Sequence, residues 1–145
     1  MTIKSPESTD EWANYFLLRW QVLRAPWKQP KGTEKDDIEF LNTSFHAIAL
    51  NDKSNAIGVA RIHLLDNYTA QIRYMGVLDE WQGQGVGRGL INYLELIAQS
   101  KGVKTIILQA RENALAFYQH QNYKIKEKTF IMYDQIQHYL MEKEL

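Results

Sequence analysis

Residues Met75 to Leu90 constrain this chain more than any other segment. Met75-Gly76-Val77-Leu78 is apolar, Gln82-Gly83-Gln84-Gly85-Val86-Gly87 is rich in glycine, and Leu90, Ile91, Leu94 and Ile97 then recur at helical spacing. The order is strand, glycine turn, helix. Glycines remove the Cβ atoms that would hold a ligand off the backbone. The first N–H groups of a helix have no intrahelical partner, and the helix dipole favours negative charge there. The three parts together make a phosphate cradle. A phosphorylated cofactor is expected near the middle of the chain. For the loop taken alone, the competing reading is a tight strand-to-helix connection with no ligand.

Two common phosphate motifs are excluded. No Gly-Lys-Ser or Gly-Lys-Thr follows the glycines, so the Walker pattern fails. The dinucleotide pattern G-x-G-x-x-G fails too: from Gly83 and Gly85 its third glycine falls on Arg88, and from Gly85 and Gly87 on Leu90. What remains is Gln82-x-x-Gly85-x-Gly87. A second motif lies downstream, where the apolar strand Thr105-Ile106-Ile107-Leu108 leads to Asn113, Ala116, Phe117 and Tyr118, then to Asn122-Tyr123. The loop resembles the acyl-coenzyme A pyrophosphate loop of the GNAT superfamily of N-acetyltransferases, Q/R-x-x-G-x-G/A. The downstream segment resembles N-x-x-A-x-x-F-Y-x-x-x-G-F of the same superfamily, with a shorter spacing after the Asn. Asn122-Tyr123 stands where Gly-Phe is usual; Asn can adopt φ > 0 at a helix end, and Tyr keeps an aromatic plug.

The chain has 145 residues, enough for one domain with one core, and residues 1–145 are read as a single GNAT domain. Lys+Arg and Asp+Glu are 17 each. That balance argues against a nucleic-acid binder, which shows a basic excess. With no Cys, disulfides, thiolate metal sites and a Cys nucleophile are excluded, and no metal is expected. Met1 to Asp10 is polar and no apolar run is long enough for a bilayer, so a soluble cytoplasmic protein without a membrane partner is expected.

Ser8-Thr9-Asp10-Glu11 reads as a capping box opening a helix to about Arg24, with Arg19 interrupting its apolar stripe. Pro26 and Pro30 open a loop, and Glu34 to Leu41 reads as a short second helix. Strands are expected at Thr2–Lys4, Phe45–Leu50, Ile57–Leu65, Ala70–Leu78 and Lys104–Ala110, with a final pair at Tyr123–Met132 and Gln135–Lys143. Helices are expected at Gly85–Ser100, stopped by Gly102, and Glu112–His120. The order β-α-α-β-β-β-α-β-α-β-β is the GNAT order. It implies an α/β fold with a mixed, mostly antiparallel central sheet and helices on both faces.

The resemblance implies acetyl-CoA as cosubstrate and an amine of a small molecule or peptide as acceptor. It implies a splayed strand whose free backbone at Met75 and Val77 pairs with the pantetheine arm, the Val77 N–H being the oxyanion donor. The pyrophosphate is expected on Gln82, Gly83, Gln84, Gly85, Val86, Gly87 and Arg88. Tyr118 is the expected general acid for the leaving thiolate. Asn113 either bonds the cofactor's arm or caps its helix. Several family members carry a glutamate where this chain has Gln71, which cannot take a proton. His46, His63, His138, Glu34 and Asp37 are the alternatives, and the base is left unassigned. The run Arg19 to Asp37 resembles the R-x-x-V-L-R-x-P-W…P-x-G-x-E-x-D stretch of an ElaA-like branch. It suggests an acceptor pocket built from Arg24, Trp27 and Glu34, with Glu34, Asp36 and Asp37 as attractors of a cationic amine or simply as an acidic helix start. The family's exposed edge strands often pair, which leaves a homodimer open. Two functions follow: an acetyl-CoA-dependent N-acetyltransferase, or a GNAT-fold module that binds acyl-CoA without turnover.

Overall fold

The capping box at Ser8 forms as the sequence requires. Ser8 Oγ accepts the Glu11 N–H at 3.0 Å, and Glu11 Oε1 accepts the Ser8 N–H at 3.3 Å. In the computed structural model, which describes residues 1–145, this box opens helix α1, Thr9–Leu23. Strand β1 (Thr2–Lys4) precedes it. Strands β2 (Ser44–Leu50), β3 (Ala56–Leu64) and β4 (Thr69–Val77) follow, then helix α2 (Val86–Ser100) and strand β5 (Thr105–Arg111). Helix α3 (Leu115–His120) and the hairpin β6 (Lys124–Met132) and β7 (Ile136–Glu144) complete the chain. Asn122, at φ 72°, ends α3 in the left-handed conformation usual for glycine, and Gly102, at φ 83°, does the same after α2.

The seven strands form one sheet in the order β1-β2-β3-β4-β5-β7-β6. Every neighbour pair is antiparallel except β4 and β5. The period of two sorts β2 between two cores: Ile48 and Leu50 pack with Tyr15 and Phe16 of α1, while Ala47 and Ala49 face the side covered by α2. Leu90, Ile91 and Leu94 of α2 are completely buried there, each worth about 1.5–3 kcal/mol of transfer free energy. Helices therefore cover both faces. No helix is long and apolar enough to cross a membrane.

One expected element is absent. Residues 34–41 form successive turns, not a second helix. Their carboxylates are used against the backbone: Glu34 Oε1 accepts the Gly32 N–H at 2.7 Å, Asp36 Oδ1 accepts the Ile38 N–H at 3.1 Å, and Glu39 Oε2 accepts the Asp36 N–H at 3.0 Å. Local side-chain bonds of this kind compete with the helical ladder. Asp36 and Glu39 are also drawn to two buried arginines described below.

Candidate active site

The parallel pairing of β4 and β5 runs from Thr69↔Thr105 to Ile72↔Leu108 and stops there, although both strands continue. Beyond this point they splay, and a cleft of about 650 Å³ opens between them. A bulge in β4 lies at the same place. The β3–β4 register shifts between Val59↔Gly76 and Arg61↔Arg73, and Tyr74 takes φ 61°, an unusual conformation for an aromatic residue. Past the bulge, Leu78 N–H donates to the Ile57 carbonyl at 3.0 Å. Val77 and Gly58 therefore form a non-hydrogen-bonded pair, and the Val77 N–H and C=O point away from β3 toward the cleft. Met75 lies within the bulge, between the paired Arg73 and Gly76, and lines the cleft.

The glycine turn borders this cleft. Gly85 is the N-cap of α2 at φ 85°, Gly83 has φ 76°, and a Cβ at either would meet no protein atom. No side chain caps α2, so its first N–H groups stay open to a ligand. Gln82, Gly83 and Gly87 line the cleft. Gln82 Nε2 sits 3.4 Å from the Val77 carbonyl, and Gln84 Nε2 donates to the Glu80 carbonyl at 2.9 Å, which folds the turn back on itself. Val86 is buried in the core, leaving only its backbone for a ligand, and Arg88 is exposed. An uncapped helix start with two left-handed glycines suits a pyrophosphate, and the open β4 edge suits an amide-bearing arm.

Tyr118 and Asn113 line the opposite wall. The Tyr118 ring packs edge-on against Phe117 at 5.0 Å and Tyr123 at 6.0 Å. Burial pushes its phenol above the ordinary value, against the opposing pull of Arg111, so the group stays protonated and able to donate. No side chain caps α3; the capping role considered for Asn113 is not the one the structure gives it. His138 also lines the cleft, stacked on Phe130 at 4.4 Å, with Nδ1 3.0 Å from the Ile136 carbonyl. That carbonyl fixes the proton on Nδ1 and leaves Nε2 as acceptor. Burial, assisted by Arg111, lowers the His138 pKa despite the Ile136 bond, so the ring is neutral at pH 7.

The other base alternatives lie elsewhere. His46 is enclosed between Tyr15 Oη at 2.8 Å and the Glu39 carbonyl at 2.6 Å. His63 is buried beside Arg61, and burial together with that charge pulls it down to about 4. Asp37 is exposed, outside the cleft. Glu34 is buried and clasps its own loop, so it does not reach the cleft wall with Arg24. Trp27 stacks on Tyr133 at 6.0 Å, tying the loop to the β6–β7 turn, and likewise does not line the cleft. Of the three residues expected in an acceptor pocket, Arg24 alone lines it.

The acidic residues of the loop serve a buried ion network. Arg19 and Arg61 are completely buried. Arg19 Nη1 donates to Glu39 Oε2 at 2.7 Å, Arg61 holds Asp36 through two bonds at 2.8 and 2.9 Å, and Arg61 Nη1 lies 3.1 Å from Glu39 Oε1. Four guanidiniums surround the Tyr74 ring: Arg19 at 4.2 Å, Arg73 at 4.6 Å, Arg61 at 4.9 Å and Arg24 at 5.7 Å. The loop after α1 is thus docked onto the bulge that splays the sheet. Tyr74 and Arg111 were missed from sequence. The only signals were Arg19 inside an apolar helix stripe and Arg61 inside an apolar strand, each demanding a carboxylate from elsewhere.

The model of the acetyltransferase (GNAT) family matches residues 10–123 of this chain, and the chain belongs to that family. The uncharacterized N-acetyltransferase YjcF of Bacillus subtilis (strain 168) is 30% identical over 117 residues, 80% of this chain and 81% of that protein. Among solved structures, an aminoglycoside 6′-N-acetyltransferase complexed with coenzyme A superposes with a TM-score of 0.82 at 16% identity, covering 99% of this chain and 97% of that one. Escherichia coli ElaA superposes with a TM-score of 0.81 at 19% identity, covering 99% and 98%. These likenesses establish the fold; family membership makes the chain a GNAT acetyltransferase.

Proposed function

We propose that this enzyme transfers the acetyl group of acetyl-CoA to a primary amine of a small molecule or peptide, by direct attack with both substrates bound. One observation carries the reading: the open N-terminus of α2 and the free Val77 N–H border the same cleft as Tyr118. Gly83, Gly85 and the first turn of α2 hold the pyrophosphate, and the open edge at Met75 and Val77 pairs with the pantetheine amides. Acetyl-CoA supplies the thioester. The Val77 N–H donates to the carbonyl oxygen as negative charge builds there. His138 Nε2 takes a proton from the amine, and Tyr118 Oη gives one to the sulfur as the C–S bond breaks and the C–N bond forms. Amide and CoA thiol leave, and a proton exchange with water resets both groups. Sustained thiol release from acetyl-CoA that depends on added amine is the test. CoA binding without turnover across a broad amine panel would instead make the chain an acyl-CoA-binding module.

A further inference from the structure

Charge in the cleft is one-sided. Three arginines, Arg24, Arg73 and Arg111, line it together with His138, and no Asp or Glu does. Arg73 is matched, since Asp36 Oδ2 lies 3.5 Å from its Nη1. Arg24 and Arg111 are not. Arg24 is only 7% exposed. Its Nε donates to the Thr33 carbonyl and its Nη1 to the Leu23 carbonyl, both at 3.1 Å, so the head is fixed while Nη2 remains available. Arg111 closes β5 directly before the segment that carries Asn113 and Tyr118, and it pairs across the sheet with His138. The charges that act on Arg111 come from Arg24, Tyr133 and Tyr118; burial and the Arg24 charge both work against its protonated form. Two neighbouring guanidiniums, partly desolvated and without a carboxylate, are an unfilled oxyanion site.

We infer that the acceptor is an amine that also bears an oxyanionic group, a carboxylate or a phosphate, held by Arg24 and Arg111 in the cleft. The inference rests on the proposed acetyl transfer and names its substrate class. It replaces the cationic acceptor that the acidic loop suggested in the sequence, because Glu34 is folded back on the Gly32 N–H, Asp36 is held by Arg61, and Asp37 lies outside the cleft. A polyamine would meet like charge. An amine anchored by its own oxyanion would place its nitrogen beside Tyr118, and the surrounding positive charge favours the unprotonated nitrogen that attack requires.

The test uses glycine, alanine, methionine and phenylalanine, each beside its amide and its aminophosphonate analogue. Thiol release from acetyl-CoA is measured, and the same compounds are titrated calorimetrically onto protein saturated with CoA. At least one acid or phosphonate should exceed its amide by tenfold or more in kcat/KM and in affinity, about 1.4 kcal/mol. The better of the two identifies carboxylate or phosphate. Arg111→Gln and Arg24→Gln should each narrow that ratio, Arg111→Lys should restore part of it, and CoA affinity should hold. Amides bound and acetylated as well as the acids would overturn the inference, as would no binding by any compound. A tenfold loss of CoA affinity in both glutamine variants, with the acid preference intact, would also overturn it by giving the arginines to the cofactor. Preferential binding of an acid without turnover by any amine would leave the oxyanion site standing and defeat the acetyltransferase reading.

Discussion

Replacing Glu39 with glutamine tests whether the ion network holds the fold together. The carboxylate is 3% exposed and lies against two guanidiniums that are fully buried. Its Oε2 accepts from Arg19 Nη1 at 2.7 Å and from the Asp36 N–H at 3.0 Å, and its Oε1 is 3.1 Å from Arg61 Nη1. Glutamine keeps the shape and one oxygen but removes the charge. Arg61 would retain the Asp36 carboxylate, whereas Arg19 would be left with neutral acceptors alone: the glutamine oxygen, the Glu34 carbonyl and Tyr15 Oη. Breaking a buried pair from one side costs about 3–5 kcal/mol, because the other charge stays buried. For a chain of this length each kcal/mol moves the melting temperature by roughly 2–4 °C. Glu39→Gln should therefore melt about 10 °C below the wild type by circular dichroism. Asp36→Asn should cost less, since the Asp36 side chain is 24% exposed. A Glu39→Gln protein melting within about 2 °C of wild type would refute the reasoning and make the network a surface-like ion cluster.

Gly85→Val should weaken CoA binding by calorimetry at least about tenfold, or 1.4 kcal/mol, because φ 85° strains a β-branched residue and its side chain would occupy the open cradle; unchanged affinity in a folded protein would refute the cradle. Gly87 is the poorer probe, as a Cβ there would lie 2.9 Å from Phe117 Cζ and disturb packing directly. Tyr118→Phe should lower turnover roughly a hundredfold while leaving CoA affinity unchanged, and wild-type turnover would return Tyr118 to a packing role. His138→Gln should lower kcat/KM roughly a hundredfold and remove the limb of the pH profile that reports the base; a profile of unchanged shape would exclude it. The His63 pKa is depressed from 6.5 to about 4 by burial and Arg61, so the unfolded chain binds the extra proton first. Its contribution is complete above about pH 6.5 and is lost as pH falls toward 4, and chemical denaturation of His63→Gln should show a shallower loss over that window.

The glycine-turn half of the candidate site was legible because its geometry is written in local sequence. A glycine turn before an amphipathic helix specifies an open helix start, and Gln82, Gly83 and Gly87 lie on the cleft as that pattern implies. The expected strands and the first and second long helices fell within about a residue of their observed ends, whereas α3 begins at Leu115, three residues after the expected Glu112, because a 3-10 turn occupies Glu112–Ala114. The acceptor half was not legible in the same way. Glu34 and Trp27 stand in a suggestive motif, but whether they face the cleft depends on where Arg19 and Arg61 sit in three dimensions. Those arginines draw Glu39 and Asp36 inward, which turns an expected helix into turns. Arg111 lies one residue past the expected strand end at Ala110, and its lack of a carboxylate partner is a property of the folded neighbourhood. Tyr74 gave no warning of a left-handed bulge.

The ring of four guanidiniums about Tyr74 lies between the proposed acceptor site and the proposed cofactor edge, and would couple the two energetically. Arg24 reaches into the proposed acceptor site, and its guanidinium is 5.7 Å from the Tyr74 ring. The bulge at Tyr74 sets the course of the Met75–Val77 edge that would receive the pantetheine. An acceptor that pulls on Arg24 thus acts on the residue that shapes the cofactor edge. Such coupling is reciprocal: the factor by which the acceptor changes the affinity for CoA must equal the factor by which CoA changes the affinity for the acceptor. Replacing Tyr74 with leucine, which removes the ring and its cation contacts, should bring that shared factor toward one from both sides at once.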